Sequence, residues 1–137
     1  MNVDDLKFLI DTGHTIGSHS LKHARLSEIA NSKMRLHVCE GADELQSLLG
    51  QPINHFAYPF GNLESFSQSA LNVARDRFQF VHTGLRGNNS PSNGSWEIRR
   101  DSFEPTDSAK WVSATLNGAS DWKYRGNRRQ FKAWGAT

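Results

Sequence analysis

The chain has 137 residues, of which 36% are hydrophobic and 22% charged, with a net charge of +2. That length suits one ordinary domain able to bury roughly two thirds of its unfolded surface, and no apolar run approaches the roughly 20 residues of a membrane-spanning helix. One cysteine, Cys39, excludes an internal disulfide and a cysteine-built zinc site, so any metal must be held by histidine and carboxylate.

In chain order, Val3, Leu6, Leu9 and Ile10 recur at helical spacing behind Asn2, an N-cap residue type, and Gly13 stands where a helix stop is expected. Asp4 and Asp5 open this helix, where acids favour its dipole. No signal-peptide pattern precedes it, since Met1 leads directly into "NVDDLKFLID". The compartment is left open between an intracellular protein and one whose upstream part is absent. "HTIGS" reads as a short strand running into a loop, followed by a helix of about 18 residues ending at "LQSLLG", with Gly50 as its stop and Gly41 weakening its middle.

"INHFAYP" is apolar and bounded by Pro52 and Pro59, which predicts a buried strand over 53–58. "SFSQSALNVARD" follows as a helix and "FQFVHT" as a strand, and then "GLRGNNSPSNGS" reads as a loop. "WEIRRDSF" returns as a strand, and "TDSAKWVSATLNG" as a helix capped by Thr106 or Asp107 and stopped by Gly118. Such alternation implies an α/β fold with a largely parallel sheet or barrel and functional loops at the C-terminal strand ends. Residues 119–137 read as a basic tail: Lys123, Arg125, Arg128, Arg129 and Lys132 occur over 123–137 with no acid, leaving the rest of the chain net acidic.

The densest chemistry lies in "GHTIGSHSLKH", residues 13–23. Neutral imidazole is a preferred zinc ligand, and a catalytic zinc takes three protein ligands plus an open position. On a helix or tight turn, residues four apart point the same way, so His19 and His23 can converge on one ion. The bland alternative is a solvated or hydrogen-bonded pair, and spacing alone leaves both open. His14, on the predicted strand, reads as packed or hydrogen-bonded rather than as a third ligand.

"LIDTGHTIGSHSLKHARLS" resembles the His-Ser/Thr-x-x-His motif of the polysaccharide deacetylases, the NodB homology group of carbohydrate esterases. "GQPINHFAYPFGN" is similar to that family's strand ending in Tyr-Pro-aromatic-Gly, and "FQFVHTGLRGNN" and "WEIRRDSF" resemble its later strands in the same order. The resemblance implies part of a distorted (β/α) barrel of the glycoside hydrolase/deacetylase type, in one domain spanning residues 1–137 and lacking its first strand. It implies a divalent metal, zinc, on His19 and His23, and an acetylated glycan as substrate. The backbone N–H of Phe60 would face the oxyanion, Pro59 and Gly61 would shape that turn, and Tyr58 would contact substrate.

Three departures accompany these matches. The family's Asp-Asp strand end, source of its third metal ligand and general base, has no counterpart here and would precede Met1. Ala57 stands where many members have arginine, which shifts subfamily more than it removes function. The late Leu-x-His motif is also missing after residue 83; His82 lies at a strand end and could face the site, but the matching family strand does not use it so. The 137-residue chain alone is therefore expected to be catalytically poor, and an open sheet edge invites pairing with another chain.

Three other readings stay open. A small-amide deacylase would keep fold and metal, whereas a glycan enzyme would need an aromatic-lined groove, for which Trp96, Trp111, Trp122 and Trp134 are candidates. A truncated domain of this kind could instead bind carbohydrate without catalysis. "WKYRGNRRQFKAW" interleaves cations with aromatics as single-strand nucleic-acid binders do, but a solvated surface is the expectation, and no nucleic acid is expected as partner.

Overall fold

In a computed structural model that describes residues 1–136, most helix ends fall on residues that satisfy free backbone groups. Helix α1, Val3–Asp11, opens on Asn2, whose side chain accepts from the Asp5 N–H while the Asp5 carboxylate accepts from the Asn2 N–H, a reciprocal capping box. Helix α2, Asn31–Leu49, closes on Gly50 in the left-handed region, φ 67°. Gly41 inside it has a packing role. A Cβ there would sit 3.4 Å from Leu21 Cα, and the Leu21 N–H donates to the His37 carbonyl at 2.9 Å. The loop carrying the histidine pair thereby lies directly on α2.

Helix α3, Gln68–Arg77, is capped by the Ser67 hydroxyl, which accepts from the Ala70 N–H. Helix α4, Ala109–Leu116, is capped by Ser108 rather than by Thr106 or Asp107. Asp107 is already engaged in the preceding turn, accepting from the Glu104 N–H at 2.8 Å. A 3₁₀ turn, Asp121–Tyr124, leads into helix α5, Arg125–Gly135. The stretch read as a basic tail is therefore folded: Phe131 is fully buried, with its ring 5.4 Å from that of Phe66 and 5.6 Å from that of Trp96. Arg128 belongs to the same packing, donating to the carbonyls of Arg86 and Asp121.

Two short strands, β1 (His55–Ala57) and β2 (Phe80–His82), pair in parallel with His55 opposite Phe80. Single parallel bridges extend the layer on both sides, Ser18 to Phe56 and Ile98 to His82. The strands expected at "HTIGS" and "WEIRRDSF" contract to these bridges, and the described residues form an open layer rather than a closed barrel. The causes are local. Ser18 commits both backbone groups to β1, its N–H to the His55 carbonyl and its carbonyl to the Ala57 N–H, before the chain turns at Ser20 with φ 63°. Beyond Ile98, the Asn89 carboxamide takes both the N–H and the carbonyl of Arg99, so a side chain stands where a ladder would continue.

Alternation along the strands separates two faces. Phe56 and Val81 are fully buried against the helical side, in a core with Met34, Val38, Leu71 and Ala74. Each such side chain contributes roughly 1.5–3 kcal/mol by leaving water. His55, Ala57, Phe80 and His82 occupy the opposite face and are only partly buried. One carboxylate is fully buried elsewhere: Glu97 bonds Arg99 through Oε1, while its Oε2 has no partner among the described residues. Arg99 continues to the Asn88 carbonyl and Asn93 Oδ1, which ties down the loop that its Gly, Asn, Ser and Pro content predicts.

Candidate functional site

The C-terminal ends of the parallel segments bring His19, the turn at Phe60 and Gly84 to one edge of the layer. His19 directly follows the Ser18 bridge. Its Nδ1 lies 2.7 Å from the Ala57 carbonyl, and because a carbonyl only accepts, Nδ1 carries the proton and Nε2 presents its lone pair. His23 is placed by an irregular loop and not by a helix: Ser20 and His23 have φ of 63° and 49°. The two imidazole centroids are 4.9 Å apart. Both histidines are exposed, as is His14, which therefore is not the packed residue its strand position suggested.

The expected turn after β1 is a tight one. The Gly61 N–H donates to the Pro59 carbonyl at 2.7 Å, and Phe60 between them has φ 62°. This is the strained, positive-φ form of the γ-turn, costing about 1 kcal/mol or more in a residue other than glycine. The Phe60 N–H makes no hydrogen bond to the described residues. Its ring is 56% exposed and meets His23 edge-on, 4.9 Å between centroids, with the Arg25 guanidinium 4.8 Å from the ring centre. Three left-handed residues, Ser20, His23 and Phe60, thus surround one small region, a concentration of strain typical of functional sites.

Gly61 and Gly84 hold the turn against the end of β2. The Gly84 N–H donates to the Gly61 carbonyl at 2.8 Å, and a Cβ on either residue would fall 2.7 Å from the other's backbone. Pro59 is buried beneath the turn. Ser65, in a 3₁₀ turn at Leu63–Ser65, reaches back to the Pro59 carbonyl at 3.3 Å. Tyr58 has its ring in the core, 1% exposed and stacked on Phe66 at 4.3 Å, and its hydroxyl has no partner. Burial pushes its pKa up. It forms cavity wall rather than reaching outward.

Two cavities open at this edge. One, of about 420 Å³, is lined by His19, Tyr58, Phe60, Arg86, Arg100 and Asp101. The second, of about 540 Å³, lies over the strand face and is lined by Thr15, His19, His55, Ala57, His82 and Arg100. In the first, Arg86 donates through Nε to Asp101 at 2.8 Å. In the second, His55 Nδ1 and His82 Nε2 lie 3.0 Å apart, so one ring must donate to the other. Burial, followed by His55 and Arg100, holds the His82 pKa below the usual histidine range. An unfolded His82 binds a proton more readily, so this group favours the fold above about pH 6.5 and loses that contribution as pH falls through the lowered pKa. NMR titration should give His82 a midpoint below 6.5; a midpoint at or above it would contradict the assigned environment.

Sequence reasoning singled out His19, His23 and the Phe60 turn as candidates, and the structure places Gly84, Arg86, Arg100 and the His55–His82 pair at the same edge. A period-two pattern across two strands placed His55 and His82 on one face, but their pairing register was needed to join them. Among the described residues, no group of three or more His, Cys, Asp or Glu side chains could hold a metal ion.

Parallel strands with a histidine pair and a strained turn at their carboxyl ends define an α/β chain with a candidate site at that edge. The polysaccharide deacetylase family matches residues 1–77, and the chain belongs to that family. The deacetylase PplD of Streptococcus pyogenes, in complex with acetate, shares the fold with 21% identity and a TM-score of 0.72, over 85% of this chain and 50% of that one. A polysaccharide deacetylase of Bacillus cereus is 19% identical with a TM-score of 0.68, over 85% and 36% of the two chains. The deacetylase domain of BpsB from Bordetella bronchiseptica gives 18% and 0.63, over 74% and 48%. The chain thus spans half or less of each of these structures. No curated protein matches it significantly.

Proposed function

We propose that the chain carries part of the active site of a metal-dependent hydrolase that removes N-acetyl groups from a glycan. The observation that carries this reading is the convergence of His19, His23 and the unbonded Phe60 N–H at one strand edge in a member of the polysaccharide deacetylase family. The two imidazoles suit zinc as nitrogen donors and supply two of the three protein ligands a catalytic zinc takes. His19 is the better fixed, because its Nδ1–H bond to Ala57 orients Nε2 outward. When bound, zinc would act as a Lewis acid toward the acetyl carbonyl and toward water.

The remaining work falls to the chain itself. The Phe60 N–H is free to donate to the oxyanion that develops on the acetamide oxygen, and its γ-turn holds it in place before reaction. Pro59, Gly61 and Gly84 fix that turn through the contacts described above. Among the described residues no carboxylate joins the pair in a group of three able to hold a metal, and Asp101, the carboxylate lining the same cavity, is engaged by Arg86, so the chain alone is expected to hydrolyse on the order of a hundredfold or more slowly than a site with a free base.

Acetate release from an N-acetylglucosamine oligomer, measured with zinc present, tests the reading. Slow release that disappears in His19→Ala and His23→Ala supports it, and release unchanged in both variants overturns it. The missing acid also favours a second reading, a carbohydrate-binding domain without catalysis. That would show as oligomer binding without release, indifferent to either histidine substitution.

A further inference from the structure

The stretch first read as a basic tail presents two different faces once it folds. In the helical layer α1 packs on α2, α2 on α3 and α3 on α5, so α5 lies at the far side of that layer from α1. Its inward face is committed to the core: Phe131 is fully buried and Trp134 packs against the same cluster. Arg128 is committed as well, to the carbonyls of Arg86 and Asp121. Arg125, Arg129 and Lys132 recur at i, i+4 and i+7 of the helix and are exposed, which sets them in one outward stripe about 10 Å long. None of them makes an ion pair or a hydrogen bond to the described residues. The one acid of residues 119–137, Asp121, precedes the helix, and its carboxylate lies against Gly118. Just before the helix, Trp122 is 63% exposed, with the Lys123 ammonium 5.7 Å from its ring centre.

Cations on a convex helix face with an exposed indole beside them match the headgroup region of an anionic bilayer, which attracts lysine and arginine electrostatically and takes up tryptophan at its polar–apolar boundary. We infer that the outer face of α5, together with Trp122 and Lys123, is a docking surface for an anionic phospholipid membrane. The attachment is peripheral, because the apolar face of α5 is already buried in the core and Trp122 is the indole left to enter the interface. Single-stranded nucleic acid fits this face less well. It needs successive aromatic faces along a cationic groove, whereas Tyr124 is partly buried beside Arg86 and both Phe131 and Trp134 face the core. The surface shares no residue with the two cavities at the histidine edge, so this inference stands apart from the hydrolase reading.

Co-sedimentation of the chain with vesicles tests it, using phosphatidylcholine alone and an equimolar mixture with phosphatidylglycerol. The expected result is binding to the mixed vesicles and not to phosphatidylcholine, lost as salt rises from about 0.1 to about 1 M and the screening length falls from about 10 to about 3 Å. The triple change Arg125→Gln, Arg129→Gln and Lys132→Gln should weaken binding about a hundredfold. The same loss of charge placed elsewhere, Lys7→Gln, Lys33→Gln and Arg35→Gln, should weaken it less than about threefold, because those groups lie off the docked face. All these side chains are exposed, so both variants should keep the natural unfolding temperature. Indole emission should shift to the blue on mixed vesicles, and Trp122→Ala should remove the shift. Equal weakening in the two triple variants, undiminished binding in the first, or tighter binding to an oligothymidylate than to mixed vesicles overturns the proposal.

Discussion

Replacing Arg99 with methionine should lower stability by about 3–5 kcal/mol, read by chemical denaturation. Glu97 is fully buried and Arg99 is 12% exposed at its side chain. Burying a carboxylate is unfavourable unless a cation and hydrogen bonds compensate it. Here the compensation is one-sided: Arg99 serves Oε1 through both Nε and Nη2, while Oε2 already lacks a partner. Arg99→Met leaves both oxygens unsatisfied and removes the donors to the Asn88 carbonyl and Asn93 Oδ1. The loop at residues 84–95 should then lose its order with the pair. Adding Glu97→Leu to Arg99→Met should recover more than half of the loss, because two apolar residues of similar volume bury no uncompensated charge. A loss below about 1 kcal/mol in the single variant, the size of an exposed ion pair, would contradict this role.

Gly84→Ala should cost about 2–4 kcal/mol and displace the Phe60 turn with it. The new Cβ would fall 2.7 Å from the Gly61 Cα, carbonyl carbon and oxygen, and the obstacle is backbone rather than a flexible side-chain end. Relief requires separating the ends of β1 and β2, which breaks the Gly84–Gly61 hydrogen bond. Gly61→Ala meets the same overlap with an added penalty, since its φ of 77° disfavours any side chain. Both variants should therefore couple reduced unfolding temperature to a shifted Phe60 N–H signal. A full-stability Gly84→Ala protein with an unmoved Phe60 signal would show that the close approach is dispensable.

These two features mark where sequence reasoning stops. Local signals were legible: Asn2 caps α1, Gly50 ends α2, Ser67 lies within the stretch read as α3, and the His19–His23 spacing singles out the loop that carries them. The strands proved shorter than their apolar runs, because length along a ladder depends on the partner's free backbone groups, and Asn89 removes those of Arg99. Residues 119–137 misled through charge. Five cations conceal that Phe131 and Trp134 share one helix face and pack on the core. Gly61–Gly84 and Arg100 were invisible for a further reason: their roles arise between segments far apart in sequence, and a single chain pattern records no such distance. The histidine pair was legible as a candidate, but its tautomer depends on the Ala57 carbonyl, 38 positions away.

The central claim is that His19 and His23 form the metal-binding part of the site. Zinc titration of the chain, followed through the imidazole signals of its six histidines by NMR, tests it most directly. The expected result is that His19 and His23 shift together at one zinc equivalent while His14, His37, His55 and His82 stay unmoved, and that His19→Ala abolishes the response. Zinc binding that persists in His19→Ala, or that moves the other histidines and leaves this pair untouched, would contradict the assignment.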